Sequence, residues 1–374
     1  EEREEIDVLD YINPKFIELY KESQIYRGII SDAKIAPCGY LIYDEPISEE
    51  IGLIKLKENI CTVMDGSWAE KYSFLKNDLL KVSVVELIYR IYKRIGIKPH
   101  SLPELIKLCD GNNKVWEVYK NGWTMGINQL EQDATRGRVA KYAPKNISEL
   151  SAFIAAIRPG FKSYYSRFES REPFEYGIKT LDELIQTEQF PYSYMLYQEN
   201  AMQVLAYSGI RIAETYEIIK NIAKKRAEKV YKYKDRFIDG MKNRLMKKES
   251  LDEIASAKVA QNTWQVIEDS AHYSFNSSHA YSVAGDSLYG AYLKSHYPLE
   301  FYETLLTICE EDGDKDRLAK AKEEAKHAYK ISFPPYRFGQ DNRNIVLDKD
   351  NWAITSSLKS IKSFGKKVGE DMYD

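Results

Sequence analysis

Four consecutive polar residues stand directly before a long, largely apolar stretch that ends near residue 306: Asn276, Ser277, Ser278 and His279. A helix that only fills a core has no use for such a group, because a buried polar group without a partner costs a few kcal/mol. The four residues therefore predict a functional site at the start of a helix. The alternative is structural hydrogen bonding, with Asn276 and His279 acting as helix caps.

The chain also carries a strongly basic segment between residues 220 and 248. This segment has a local net charge of +9, whereas the whole chain has a net charge of −3. Such a segment attracts phosphate within a Debye length of about 8 Å in physiological salt. The alternative is a solvated helix face that binds nothing. The basic residues are Lys220, Lys224, Lys225, Arg226, Lys229, Lys232, Lys234, Arg236, Lys242, Arg244, Lys247 and Lys248.

Five sequence blocks resemble the C family of bacterial and phage DNA polymerases, the family of the DNA polymerase III alpha subunit. One block resembles the family pattern F-N-K-S-H-A followed by L-K-x-H-Y-P-x-E-F, here Phe275, Asn276, Ser278, His279, Ala280, Leu293, Lys294, His296, Tyr297, Pro298, Glu300 and Phe301. The other four are residues 126–131, Arg158-Pro159-Gly160, Tyr197-Gln198-Glu199 with Met202, and the basic residues 219–226. The resemblance covers roughly residues 120–305.

This resemblance implies a fingers domain whose fixed cations hold the triphosphate of an incoming deoxynucleotide, because such electrostatic stabilisation is the main source of catalysis in phosphoryl transfer. The implied nucleotide-binding residues are Lys76, Arg158, Lys220, Lys224, Lys225, Arg226, Asn276, Ser278 and His279. The implied second-layer residues, which would position those cations, are Gln129, Glu131, Gln198 and Glu199. For Arg158, capping of the preceding helix end is an equal alternative.

A two-metal magnesium site is also implied by the resemblance. In such a site carboxylates hold two ions about 3.5 to 4 Å apart. The third aspartate of the family stands in a K-x-D-x-L pattern, which Lys76-Asn77-Asp78-Leu79-Leu80 fits. Asp78 is thus the implied catalytic residue and metal ligand. A helix cap is the alternative role of this Asp.

The chain departs from the family in two places. It has no P-D-x-D-x-D-F-type strand for the first two aspartates, and Asp7 and Asp10 resemble the end of the thumb instead. Residues 36–39 lack the His of the family's H-x-x-G pattern. We therefore expect one catalytic carboxylate here, with the other magnesium ligands outside this chain. Because the first residue is not Met, we interpret the chain as a piece of a longer polypeptide or a processed form.

The composition is that of a globular protein. With 374 residues, 44% of them hydrophobic and 30% charged, we expect two or three domains. No apolar run reaches 18 residues, so neither a transmembrane helix nor a signal peptide is expected. The cysteines form no C-x-x-C pair and stand at no zinc-ligand spacing from a His, which indicates buried free thiols. They are Cys38, Cys61, Cys109 and Cys309.

Hydrophobic spacing and turn residues predict the secondary structure. The first 30 residues are predicted helical, residues 35–65 are predicted as short strands, and residues 162–195 are predicted as an irregular connection with one short helix. A hairpin is predicted from residues 344–347 and 352–354. Longer helices are predicted over residues 78–95, 197–207, 212–247, 251–271 and 279–294.

The predicted fold is mainly α with a small mixed α/β palm portion, a C-family palm remnant plus helical fingers. Residues 1–30 are expected to be a thumb remnant and residues 31–98 the C-terminal part of the palm. The fingers are expected over residues 99–330, and the start of a helix-hairpin-helix region over residues 331–374.

The resemblance implies part of a replicative DNA-directed DNA polymerase that adds deoxynucleotides to a primer 3′ end and is inactive as this isolated piece. Expected partners are primer-template DNA, deoxynucleoside triphosphates, a separate N-terminal polymerase half and a sliding clamp, but no membrane. The expected location is the cytoplasm of a bacterium or a phage-infected host. The alternative is a noncatalytic DNA-binding or replisome scaffold that retains the fingers. A helical RNA-binding adaptor without metal at Asp78 is a weaker one.

Overall fold

The protein is described from a computed structural model. The structure describes residues 12–29, 32, 34–36, 38–79, 82–158, 161–223, 227–271, 274–336, 341–361 and 371. The chain divides into two compact units, Glu1–Val82 and Ser83–Asp374. Helices dominate and the sheets have two strands each, which confirms the predicted fold class of mainly α with a small mixed α/β portion. Among the described helices, none is long and apolar enough to cross a lipid bilayer.

The first unit consists of short elements joined by turns. Strand β1 pairs antiparallel with β4, so that Gly39 lies opposite Asp78, and β2 pairs with β3. This confirms the predicted strands within residues 35–65. The elements are a 3-10 turn Pro14–Phe16, α1 Ile17–Ser23, a 3-10 turn Gln24–Tyr26, β1 Gly39–Ile42, a 3-10 turn Ile47–Glu49, β2 Leu53–Leu56, β3 Asn59–Thr62, α2 Gly66–Lys71 and β4 Leu75–Asp78.

This first unit buries little apolar surface. Among its described residues, Ala69 is the one hydrophobic residue that is buried. A two-stranded sheet needs a packed face to be stable, because an isolated hairpin is marginal in water. The unit instead exposes large apolar side chains, among them Tyr40, Ile42, Leu53, Ile54, Ile60, Trp68, Tyr72 and Leu75.

The second unit is helical and ends in a β-hairpin. Its helices are α3 Ser83–Ile95, α4 Leu102–Cys109, α5 Asn113–Lys120, α6 Asp133–Tyr142, α7 Ile147–Ala156, α8 Lys162–Glu169, α9 Lys179–Leu184, α10 Gln198–Tyr207, α11 Ile212–Ala223, α12 Ala227–Lys248, α13 Glu253–Ala271, α14 Ser277–His296, α15 Pro298–Asp312 and α16 Lys315–Tyr329. The predicted hairpin is confirmed as β5 Val346–Asp348 and β6 Ala353–Thr355, followed by a 3-10 turn, Leu358–Ser360.

Two hydrophobic cores hold this unit together. The first core surrounds α14, which packs against α3, α5, α7 and α15. The second core is built by α9 to α13 around the fully buried ring of Trp264. Buried thiols were predicted, and Cys109 and Cys309 lie in the first core, whereas Cys38 and Cys61 are half-buried. Burial raises the pKa of the Cys309 thiol to about 11.

A buried ion pair fixes the C-terminal half of α14. The ammonium of Lys294 is fully buried and donates to Glu324 on α16 at 2.7 Å, to the Trp123 carbonyl at 2.7 Å and to the Met125 carbonyl. The Glu324 carboxylate also accepts from the Tyr302 hydroxyl at 2.8 Å. Burial lowers the pKa of Lys294, and the charge of Glu324 partly offsets that effect. Every polar atom here has partners, as burial of charge requires.

Two glycines allow close approach of neighbouring elements. Gly126 has a φ of +74°, and a Cβ there would lie 2.9 Å from Phe301. In α12, a Cβ on Gly240 would lie 2.2 Å from the backbone oxygen of Ser208 at the end of α10. The contact between α10 and α12 therefore requires a residue without a side chain.

The structure corrects three predicted elements. Residues 78–95 are not one helix, because Asp78 ends strand β4 and α3 begins at Ser83. The predicted helix over residues 212–247 is two helices, α11 and α12. The predicted irregular connection over residues 162–195 contains α8, whose Phe168 is buried in the first core. The two compact units divide at residue 82, so that α3 belongs to the second unit.

We predict that Lys294→Met destabilises the fold strongly. The substitution keeps the apolar stem but removes the fully buried cation of the pair and leaves Arg136, at 2.9 Å, as the remaining cationic partner of Glu324. Breaking a buried ion pair from one side costs about 3 to 5 kcal/mol. The matched control is Lys320→Met, because Lys320 pairs with Asp133 at the surface, where an ion pair contributes about 1 kcal/mol or less. The measurement is the free energy of unfolding in urea. Equal losses for the two variants would show that the buried pair is not a stability determinant.

We also predict that Gly240→Ala lowers the free energy of unfolding by about 1 to 3 kcal/mol, because α10 and α12 must move apart. Gly137 is the control, since it lies within α6 and a Cβ there meets no atom within 4 Å. Gly137→Ala should stabilise the protein by up to about 1 kcal/mol through higher helix propensity. Thermal unfolding of both variants measures the contrast, and a neutral Gly240→Ala would contradict the close approach.

Candidate functional site

Three separate segments of the second unit meet beside the start of α14. The backbone of Phe275 bridges to the residues before α10: its N–H donates to the Leu196 carbonyl at 3.2 Å, and its carbonyl accepts from the Gln198 N–H at 2.9 Å. The Tyr197 hydroxyl lies 2.9 Å from the hydroxyl of Ser151 on α7, and burial raises the pKa of Tyr197 to about 12. The middle of α7 and the segments directly before α10 and α14 are thus joined by direct hydrogen bonds.

The first turn of α14 is capped from two sides. The Asn276 side-chain oxygen accepts from the His279 N–H at 3.1 Å, and its side-chain nitrogen donates to Glu199 at 3.0 Å. The Glu199 carboxylate also accepts from the Ser277 N–H at 2.9 Å. Asn276 is therefore a helix cap, one of the two roles that its sequence position allowed, and Glu199 orients it.

Arg158 lies two residues beyond the end of α7 and stacks on an aromatic ring. Its guanidinium carbon lies 3.5 Å from the centroid of the Phe275 ring. On the same ring, the imidazole of His279 makes an edge-to-face contact, with the centroids 4.7 Å apart and the planes at 81°. Partial burial lowers the pKa of Arg158. Phe275 thus holds both a cationic and a titratable side chain.

Several donors at this place have no partner within the described part of the chain. They are the Arg158 guanidinium, the side chains of Ser278 and His279, and the backbone N–H of Ser278. In contrast, the backbone N–H of Ser277 donates to Glu199, and that of His279 donates to Asn276. Ser278 and His279 are exposed. The N-terminus of a helix carries a partial positive charge and unpaired N–H groups, so an arrangement of this kind can bind an anionic group such as phosphate.

The structure brings together six predicted site residues, namely Arg158, Gln198, Glu199, Asn276, Ser278 and His279. It places Gln129 and Glu131 elsewhere. Their segment packs beside Gly290, where a Cβ would lie 2.9 Å from Ile127, about 21 Å along α14 from Asn276 at a rise of 1.5 Å per residue.

At that end of the helix, Glu131 pairs with Arg317 at 2.7 Å, and Gln129 is exposed with a φ of 57°. Glu131 therefore pairs with Arg317, which is not one of the predicted nucleotide-binding cations, and this pair joins two segments of the second unit. The sequence alone gave no indication of this partner, because Arg317 lies 186 residues away.

Only part of the basic segment is free to bind. Lys220 is exposed in the last turn of α11, and Lys224, Lys225 and Arg226 lie outside the described residues. Four cations of α12 are held by other groups of the second unit. Lys234 pairs with Glu268, Arg236 with Glu214, Lys242 with Glu253, and Arg244 stacks on Tyr207. The local charge of +9 thus overstates the positive surface that a ligand would meet.

In the first unit, Asp78 ends β4, and its carboxylate lies 3.0 Å from the ammonium of Lys76. The alternative prediction of a helix cap is wrong, because the next helix begins at Ser83. The described residues contain no group of three His, Cys, Asp or Glu side chains that could hold a metal ion. Asp78 alone does not make a magnesium site, which needs several oxygen ligands.

Sequence reasoning missed the role of two residues. Phe275 matched the family pattern but was given no function, although an aromatic ring four residues before a His in the first turn of a helix is a recognisable signal for stacking. Lys294 matched as well and proves to be the buried partner of Glu324. No local signal identifies Glu324, since it lies 30 residues further along the chain.

The family model and the curated relatives that match this chain all describe the same kind of protein. Residues 83–245 match the family model described as the bacterial DNA polymerase III alpha subunit finger domain. The chain is 26% identical to the DNA polymerase III subunit alpha of Aquifex aeolicus, over 96% of this chain and 30% of that protein. The same subunit of Bacillus subtilis is 27% identical over 95% of this chain and 31% of its own length.

The subunit alpha of Campylobacter jejuni is 26% identical over 97% of this chain and 30% of that protein. The chain thus spans about 30% of the length of these curated relatives. The chain is thus similar to bacterial DNA polymerase III alpha subunits over nearly all of its length, and residues 83–245 match the finger domain of those subunits.

Proposed function

We propose that this chain forms the fingers and part of the palm of a replicative DNA polymerase, which adds deoxynucleotides to a primer 3′ end on a DNA template. The observation that carries the proposal is the meeting of three sequence-distant blocks at the start of α14. There the side chains of Arg158, Ser278 and His279 offer donors that have no partner within the described part of the chain. Fixed donors of this kind stabilise the charge of a transferring phosphoryl group without reorganisation, which is a large catalytic contribution.

The roles that we propose at this site differ between residues. Arg158, Ser278 and His279 would contact the phosphates of the incoming deoxynucleoside triphosphate, while Glu199, through Asn276, would hold the first turn of α14 in place. Gln198 contributes its backbone N–H to Phe275. Lys220, with Lys224, Lys225 and Arg226, would add further phosphate contacts.

We also propose that Asp78 supplies one ligand of a two-magnesium site. The described residues do not fit such a site by themselves, because they contain no group of three His, Cys, Asp or Glu side chains that could hold a metal ion. The remaining ligands would come from residues outside this chain, and magnesium would then activate the primer 3′ oxygen and stabilise the leaving pyrophosphate. Lys76, which already pairs with Asp78, would neutralise part of the local charge or contact a phosphate.

The proposed partners are primer-template DNA, deoxynucleoside triphosphates, a sliding clamp and a further polymerase segment, in the cytoplasm of a bacterium or of a phage-infected host. The further segment is supported by the apolar surface of the first unit, which exposes Ile42, Ile60 and Leu75 and buries Ala69 alone among its described hydrophobic residues. Exposed apolar surface of this extent is typical of a face that another segment covers.

A second candidate function is a noncatalytic DNA-binding or replisome scaffold. It is favoured because the described residues contain no group of three or more potential metal ligands, at Asp78 or elsewhere. The scaffold predicts that cations such as Arg158 contact DNA, whereas the polymerase predicts that they contact nucleotide. Nucleotide dependence and the salt dependence of DNA binding separate the two.

We predict that Arg158→Ala raises the apparent KM for deoxynucleotides or lowers the rate in a polymerase reconstituted with the missing palm segment. The loss of one charge-assisted contact corresponds to about 1.5 to 3 kcal/mol, or roughly 10- to 150-fold. Arg211→Ala is the matched control, since Arg211 is exposed and pairs with Glu214. The measurement is steady-state primer extension. A flatter salt dependence of DNA binding with unaltered nucleotide dependence would support the scaffold.

We further predict that Asp78→Asn lowers the turnover rate of the same reconstituted enzyme by several orders of magnitude, because the neutral amide is a poor magnesium ligand. Primer-template affinity should change little. Asp44→Asn is the control, because Asp44 is an exposed acid of the same unit. Single-turnover primer extension measures the rate. A near-native rate for Asp78→Asn would remove Asp78 from the metal site.

A further inference from the structure

Phe275 contacts the guanidinium of Arg158 through its ring face, and its own position is fixed by backbone hydrogen bonds on both sides. The guanidinium carbon lies 3.5 Å from the ring centroid. The Phe275 N–H and carbonyl are bonded to Leu196 and Gln198. The ring is half-buried against the first core and meets the imidazole of His279 at 4.7 Å. Its freedom to turn is therefore small.

Stacking has a chemical consequence that an ion pair would not have. A guanidinium carries its five N–H donors in one plane, and a carboxylate partner would occupy two of them. A ring stacked on the face of the guanidinium restrains the plane and leaves every donor at its edge available. The nearby carboxylate of Glu199 is bonded to Asn276 and Ser277 instead.

Fixing an arginine side chain that has no ion-pair partner costs conformational entropy. The side chain loses roughly 2 kcal/mol of rotamer entropy when it becomes fixed, and a site that has already fixed it loses less on binding. Among the described residues, no acid forms an ion pair with the Arg158 guanidinium, so the ring of Phe275 is the contact that restrains it.

We propose that Phe275 is a positioning residue, which orients the guanidinium of Arg158 for phosphate without touching the nucleotide. This inference rests on the proposed function of Arg158 as a phosphate ligand. It assigns to the first residue of the Phe275-to-Ala280 block a role that differs from packing alone, because the effect of Phe275 must pass through Arg158.

A double-mutant cycle on the full chain tests this coupling, with fluorescently labelled dATP and magnesium as the probe and the dissociation constant as the readout. Phe275→Leu removes the ring and should weaken binding about 2- to 30-fold, the range of a cation–π contact. Phe275→Tyr keeps the ring and should bind within about twofold of the parent. In an Arg158→Ala background, Phe275→Leu should cause little further loss.

Chemical modification gives a readout that does not depend on nucleotide binding. Phenylglyoxal reacts with accessible guanidinium groups, and mass spectrometry reports the rate at each arginine. Phe275→Leu and Phe275→Met should both speed the reaction at Arg158, whereas Phe275→Tyr should not. Arg211 is the internal control, because it is exposed and lies directly before α11, and its rate should stay constant.

The outcomes distinguish the positioning role of Phe275 from the phosphate-binding function of Arg158, on which it rests. Equal losses from Phe275→Leu in the presence and absence of Arg158 would overturn the positioning role, as would unchanged reactivity of Arg158 in both ringless variants. If Arg158→Ala binds dATP like the parent, or the parent does not bind it, the phosphate-binding function fails. Faster modification in the ringless variants would then still support the restraint of Arg158 by Phe275.

Discussion

The ion pair between Lys294 and Glu324 is the interaction on which the second unit depends most. Both side chains are almost completely buried, and burial of charge is favourable only where hydrogen bonds satisfy the remaining donors and acceptors. Here two carbonyls and the Tyr302 hydroxyl do so. Because α14 is a rod of about 30 Å, anchoring it near Lys294 also determines where its other end lies.

At that other end, the carboxylate of Glu199 has a different role from that of Glu324, which pairs with a buried cation. It is half-buried and bonded to the Asn276 side chain and the Ser277 N–H. It therefore stabilises the first turn of α14 and does not pair with a cation. A carboxylate paired with Arg158 would have held that side chain more strongly and consumed its donors. The aromatic contact with Phe275 holds it more weakly and leaves the donors free. This weaker restraint is the one compatible with ligand binding.

The sequence predicted the parts of the fold that local signals determine. Polar residues at 276–279 located the start of α14 within two residues, and the apolar runs of residues 344–354 located the terminal hairpin. The separation of α11 from α12 was missed because it shows in the contact of Glu214 with Arg236, 22 residues apart, and spacing along the sequence does not contain such a pairing. Strand β4 was missed because all four of its residues are exposed, so no alternation of apolar and polar residues shows it.

The candidate site was predictable to a similar degree, and the limit has a physical cause. Residue type identified Arg158, Glu199 and His279 as candidate site residues, but which of them are held by internal hydrogen bonds depends on partners far away in the chain. Asn276 and Glu199 are 77 residues apart, and Arg158 and Phe275 are 117 apart. Spacing along the sequence does not contain such pairings.

The basic segment shows why a charge count is a poor measure of a binding surface. Lys234, Arg236, Lys242 and Arg244 face acids or a ring of their own unit, and a cation already paired gains little from a phosphate that must displace its partner. Arg158 carries one charge, but no internal acid competes for it among the described residues. Binding of an anion would thus depend on which donors the fold leaves unpaired, and among the described residues the Arg158 guanidinium and the side chains of Ser278 and His279, beside the start of α14, are such donors.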